Sequence, residues 1–177
     1  MEQCGRQGVM LCELLPTRGG DKLVYPSLPV EFGVFEALRV LTLLLIIIPA
    51  SVIDIRYRII PDRLHIAGAV LSLPLLLQSK QALVFGINGF LVGGGVLFVI
   101  AILSSGGIGG GDIKLAAVIG LYLGYGVILT IILAFAAGGI YCLVMLVLKK
   151  ARLRDTMPFG PFLGLGAVFI LVFSIIV

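Results

Sequence analysis

The chain has 177 residues, 60% of them hydrophobic and 12% charged, with a formal net charge of +4 and a mean hydropathy of +1.20. Soluble domains carry about 25% charged residues, so this composition excludes a water-soluble globular protein and points to one embedded in lipid. The basic residues sit in short segments between apolar runs, which is the pattern of topology signals rather than of a nucleic-acid-binding face, and no nucleic-acid partner is expected.

Residues 1–36 are mostly polar and interrupted by Pro16, Gly19, Gly20, Pro26 and Pro29; they are expected to form a tail rather than a folded domain. No basic segment followed by a short apolar core and a cleavage site begins at Met1, so no removable signal peptide is expected. From residue 37 the composition switches, and 37–177 is the expected membrane-embedded domain. Apolar runs of the length that crosses about 30 Å of hydrocarbon recur through it. They predict spans near 37–55, 63–78, 82–104, 112–124, 126–148 and 158–177, the fourth being short and followed by a tight turn at Gly124-Tyr125-Gly126. The predicted fold is therefore all-α, a polytopic membrane helix bundle of about six transmembrane helices with lipid around it.

Charge orients the spans. The loop after the first carries Arg56, Arg58 and Arg63, the loop after the fifth carries Lys149, Lys150, Arg152 and Arg154, and Lys114 flanks the loop after the third. The intervening loops hold Lys80 or nothing. With six spans all the basic loops fall on one side, which the positive-inside rule makes cytoplasmic; the N-terminal tail is then expected outside. Glycines four apart (Gly89 and Gly93, Gly120 and Gly124, Gly160 and Gly164) predict close helix contacts, since small residues let backbones approach in lipid.

Between Leu64 and Leu148 only Lys80, Asp112 and Lys114 carry a full charge at neutral pH. Asp112 follows the run Gly106-Gly107-Ile108-Gly109-Gly110-Gly111, and Asp54 ends the first span on the same predicted side. Ionisable groups at membrane depth are costly and usually functional. Two facing carboxylates can share a proton, one activating water as a base while the other protonates a peptide carbonyl and the leaving amine. Like charges a few ångströms apart do not both ionise cheaply, so such a pair titrates as a unit. Glycine at 109–111 lets backbone pass close to a bound peptide or pair with it as an added strand. Ordinary explanations stand beside this one. Asp112 is suited to cap the fourth helix, Asp54 to neutralise Arg56 or Arg58, and Asp62 to cap the second span. His65 reads as an interfacial helix residue, and Tyr122, Tyr125 and Tyr141 as packing or interface residues. Intramembrane carboxylates equally suit a small transporter or ion-conducting subunit, with Asp54 and Asp112 as proton or cation ligands. Cys4, Cys12 and His65 lack the four-ligand spacing of a structural zinc site, so no metal and no cofactor is expected.

The string Asp54-Ile55-Arg56-Tyr57-Arg58-Ile59-Ile60-Pro61-Asp62 resembles a segment of bacterial type IV prepilin peptidases, and Gly109-Gly110-Gly111-Asp112-Ile113-Lys114 resembles their G-x-G-D-x-K segment. The resemblance covers roughly residues 37–177. It implies a membrane aspartic endopeptidase that removes the basic leader of prepilins or pseudopilins at the cytoplasmic face of the bacterial inner membrane, for pilus assembly or protein secretion. By that resemblance Asp54 and Asp112 match the catalytic positions, with Gly109, Gly110, Gly111, Lys114 and Pro61 as supporting residues. Many members also carry an N-terminal domain with two C-x-x-C pairs that goes with N-methylation. This chain has only Cys4 and Cys12 there, so methyltransferase activity is not expected.

Overall fold

A computed structural model describes residues 34–104, 107–148 and 158–176. It contains six helices: α1 (Val34–Tyr57), α2 (Asp62–Leu76), α3 (Lys80–Leu103), α4 (Gly110–Leu123), α5 (Gly126–Val147) and α6 (Gly160–Ile176). There is no strand among the described residues. The polar tail, apart from its last residues in α1, lies outside them, as do the basic residues Lys149, Lys150, Arg152 and Arg154.

The helices begin and end where the apolar runs do, but they differ in reach. Ala37–Tyr57, α3 and α5 are long and apolar enough to cross a membrane. With 15 and 14 residues, α2 and α4 extend only about 21–23 Å at 1.5 Å per residue, short of the roughly 30 Å hydrocarbon layer. The expected all-α polytopic membrane bundle of about six helices is thus borne out, three of them long and apolar enough to span and the fourth short, as its run predicted. For α4 the reason is plain. It touches all five other helices, and Leu115–Gly120, Tyr122 and Leu123 are buried, so protein rather than lipid surrounds it. Around it the core is completed by Leu43, Ile46 and Ala50 of α1, Val127 and Ile131 of α5, and Leu163 and Ala167 of α6. Leu45, Ile48, Phe98 and Val99 point outward, as lipid-facing residues of a membrane bundle do.

Tight backbone contact joins α3 to α4. A Cβ placed on Gly89 would fall 2.1 Å from the Gly120 carbonyl oxygen, and one on Gly120 would fall 2.1 Å from that of Gly89. Gly89 of one predicted pair therefore meets Gly120 and Gly124 of another, while Gly93 lies against the Ala116 carbonyl. The following turn uses Gly124 at φ +54°, whose N–H donates to the Gly120 carbonyl at 2.8 Å. The Tyr122 hydroxyl donates to the Gly68 carbonyl at 2.8 Å, tying α4 to α2 from within the core.

Successive helices alternate direction, so the end of α1, the start of α2, the end of α3, and the starts of α4 and α6 gather at one end of the bundle. Both aspartates are there.

Candidate active site

Asp54 stands one turn before the end of α1 and is 5% exposed. The helix ends because Arg58 adopts φ +54° while its N–H donates to the Asp54 carbonyl at 2.8 Å, a left-handed termination usually left to glycine. An arginine there stores roughly 1 kcal/mol of backbone strain. The Asp54 carboxylate is fixed from a distant part of the chain: its Oδ2 accepts the Gly160 N–H, at the start of α6, at 2.8 Å.

Asp112 is the third residue of α4. The cap position belongs to Gly109, so Asp112 is not the N-cap residue itself; from the third helical position its carboxylate accepts a hydrogen bond from the Gly109 backbone N–H, as a reciprocal cap does. Its Oδ1 is buried and has no hydrogen-bond partner among the described residues. The two carboxylates lie close enough to interact electrostatically. Together with Arg58, Ile59, Ile60, Gly109, Gly110 and Gly111 they line one cleft of about 230 Å³.

The glycines in that wall are not equivalent. A Cβ on Gly109 would sit 3.2 Å from Asp112 Oδ2, and one on Gly111 3.2 Å from Ile60 Cβ, whereas one on Gly110 would meet nothing within 4 Å. The first and third positions of the run are thus sterically committed and the middle one is free, which is the spacing of the G-x-G string. Gly110 and Gly111 are already helical, and Gly109 just before them is extended at φ −69° and ψ 143°.

Two residues expected to support the site, Lys114 and Pro61, are not among the residues lining the cleft. Lys114 Nζ donates to Asp62 Oδ1 at 2.6 Å, joining the starts of α2 and α4. That hydrogen bond, and then the ammonium charge, hold the exposed Asp62 carboxyl below the ordinary carboxylate range. Pro61 caps α2, so Asp62 is not the cap but the partner of Lys114. His65, expected at an interface, is 6% exposed, with neither ring nitrogen partnered among the described residues. Among those residues no group of three metal-ligating side chains occurs. Cys142 is free and exposed, while Cys4 and Cys12 lie outside the described residues. Sequence reasoning missed Gly160 as a partner of Asp54; the helix-start string Pro158-Phe159-Gly160-Pro161 was its only local trace.

A model of the type IV leader peptidase family matches residues 40–143, a stretch containing both aspartates and the glycine run. A prepilin leader peptidase/N-methyltransferase of Bacillus subtilis is 30% identical over 151 residues, which cover 82% of this chain and 60% of that protein. The proteins of the same name from Escherichia coli and Burkholderia pseudomallei are 31% and 34% identical, covering 69% and 70% of this chain but 57% and 42% of their own lengths. The chain thus spans at most about three-fifths of these relatives. No solved structure matches it. With the family model covering more than half its length, over the helices that frame the cleft, the chain belongs to the type IV leader peptidase family.

Proposed function

We propose that this chain is an aspartic endopeptidase that removes the basic leader from type IV prepilins or pseudopilins at the cytoplasmic face of the bacterial inner membrane. The observation that carries this is the single cleft holding both Asp54 and Asp112 against a glycine wall. In the proposed reaction one carboxylate takes a proton from water, and the resulting hydroxide attacks the scissile carbonyl. The other carboxylic acid gives its proton to the carbonyl oxygen. The tetrahedral intermediate collapses with proton transfer to the leaving amine, and the dyad returns to its singly protonated state.

The open side of Gly110 leaves room for a substrate backbone, and Arg58, Gly109 and Gly111 shape the rest of the wall. The basic residues Arg56, Arg58 and Arg63 at the same end favour placing it on the cytoplasmic side. Lys114 and Pro61 act through the start of α2 and α4, not on substrate. Methyl transfer, the second activity in the relatives' names, is not part of the proposal. An ion-binding pair would be expected near the bilayer midplane, between broken helices, whereas these carboxylates stand at one end of the bundle beside the basic segment carrying Arg56, Arg58 and Arg63, which favours hydrolysis. The test is incubation of the purified chain in detergent with a purified prepilin. A shortened product beginning at the leader boundary is expected; an uncleaved prepilin under conditions where a relative cleaves it would overturn the proposal.

A further inference from the structure

We propose that the first turn of α6 is a working part of this site, with Gly160 as a positioning residue that orients Asp54 through its backbone N–H. The idea rests on Asp54 being catalytic, as proposed above.

Phe159 accepts the first backbone bonds of α6, from Phe162 and Leu163, so Gly160 is the first residue inside the helix. Its N–H belongs to the set that has no partner within a helix, and it is spent on Asp54 Oδ2 at 2.8 Å. Both partners are buried, and they lie 106 residues apart in sequence. The bond therefore fixes α1 to α6 at the carboxylate itself. The absence of a side chain is part of the arrangement: a Cβ at position 160 would fall 2.8 Å from Asp54 Oδ2 and 3.2 Å from its Cβ and Cγ. Relief would have to come from moving the carboxylate or the helix start. Two aromatic contacts hold that helix start from the other side, Phe159 on Phe135 at 4.9 Å and Phe162 on Tyr141 at 5.5 Å between ring centroids. The turn is clamped to α5 while it holds Asp54. Gly164, one turn on, is equally tight against α1, with a Cβ there only 2.6 Å from Ile47 Cγ2. It touches no carboxylate, which makes it a matched control.

The experiment compares Gly160→Ala with Gly164→Ala in the full chain, purified in detergent. For Gly160→Ala, leader cleavage is expected to lose about 10²-fold in kcat from displacement of the reacting group, with KM within about two-fold of wild type and an altered pH–rate profile. Gly164→Ala is expected to melt at lower temperature yet keep the wild-type kcat and profile. Infrared spectra of protein carrying isotope-labelled aspartate give a readout that needs no activity. The Asp54 band, identified by its loss in Asp54→Asn, should move in Gly160→Ala and stay in place in Gly164→Ala. An unmoved band with wild-type kcat in Gly160→Ala overturns the positioning role. So does a loss of kcat in both variants that merely follows their melting temperatures. If the wild-type chain cleaves no prepilin, the peptidase proposal fails and the infrared comparison still decides whether Gly160 positions Asp54.

Discussion

At the end of the bundle away from the aspartates, Gly89 and Gly120 let two helix backbones touch, and Gly124 turns the chain straight back into α5. At the other end, glycines at 109, 111 and 160 press backbone against Asp112, Ile60 and Asp54, and Gly110 faces open space. One residue type thus closes the far end and shapes a cleft at the near one. In lipid, where burial of apolar surface gives helices little reason to associate, the closed end supplies close packing. That packing can tolerate the buried carboxylates and the strained Arg58 at the other end. The proposed site lies at the end where the glycines line a cleft rather than a helix contact.

That contrast can be broken at either end. The largest effect on the fold is expected from Gly120→Val. Its side chain meets the Gly89 backbone, which cannot rotate away, so destabilisation of about 1–3 kcal/mol or more is expected, read as a lower melting temperature in detergent together with a loss of cleavage. An unchanged melt would show that α3 and α4 do not meet as described. Next come Gly109→Ala and Gly111→Ala, each expected to cut leader cleavage by about ten-fold through displacement of Asp112 while the protein still melts cooperatively. Gly110→Ala should melt like wild type. A Gly110→Ala variant that lost as much cleavage as the other two would erase the distinction among the three glycines.

A smaller, opposite effect is expected for Arg58→Gly, which relieves the left-handed residue and should raise stability by up to about 1 kcal/mol; a lowered melting temperature would mean that side-chain contacts outweigh the strain. Smallest of all is the Asp62–Lys114 pair. Exposed ion pairs add little to stability, so Asp62→Asn should leave the melt at neutral pH nearly unchanged. Because the folded Asp62 carboxyl is held below its ordinary value of 3.8, whatever the pair contributes is present above that pH and is lost as pH falls through the depressed value. A wild-type advantage confined to acid, or a large loss at neutral pH, would contradict this.

Much of the architecture was legible in the chain, because apolar run length and loop charge are local signals. The helix from Lys80 to Leu103 and the short one opening at Gly110 fall close to the predicted runs, and both aspartates emerge at one end. What was not legible depends on which helices become neighbours. The Gly160–Asp54 bond spans 106 residues and the Lys114–Asp62 pair 52; nothing in either local string announces them. Asp62 stood where a cap is favoured, yet Pro61, already extended at φ −68° and ψ 138°, occupies the cap and frees the carboxylate for Lys114. His65 shows the same limit. Its position one turn into a helix suggested an interface, whereas the face it shares with Gly68, Ser72 and Leu76 is the one that α2 buries.

The most direct test is leader cleavage by Asp54→Asn, Asp112→Asn and the double variant, purified alongside wild type. Two carboxylates acting as one unit predict that each single variant loses at least about 10³-fold and that the double variant is no worse than either, with all three folded. Appreciable cleavage by either single variant, or losses that multiply in the double variant, would contradict a shared dyad.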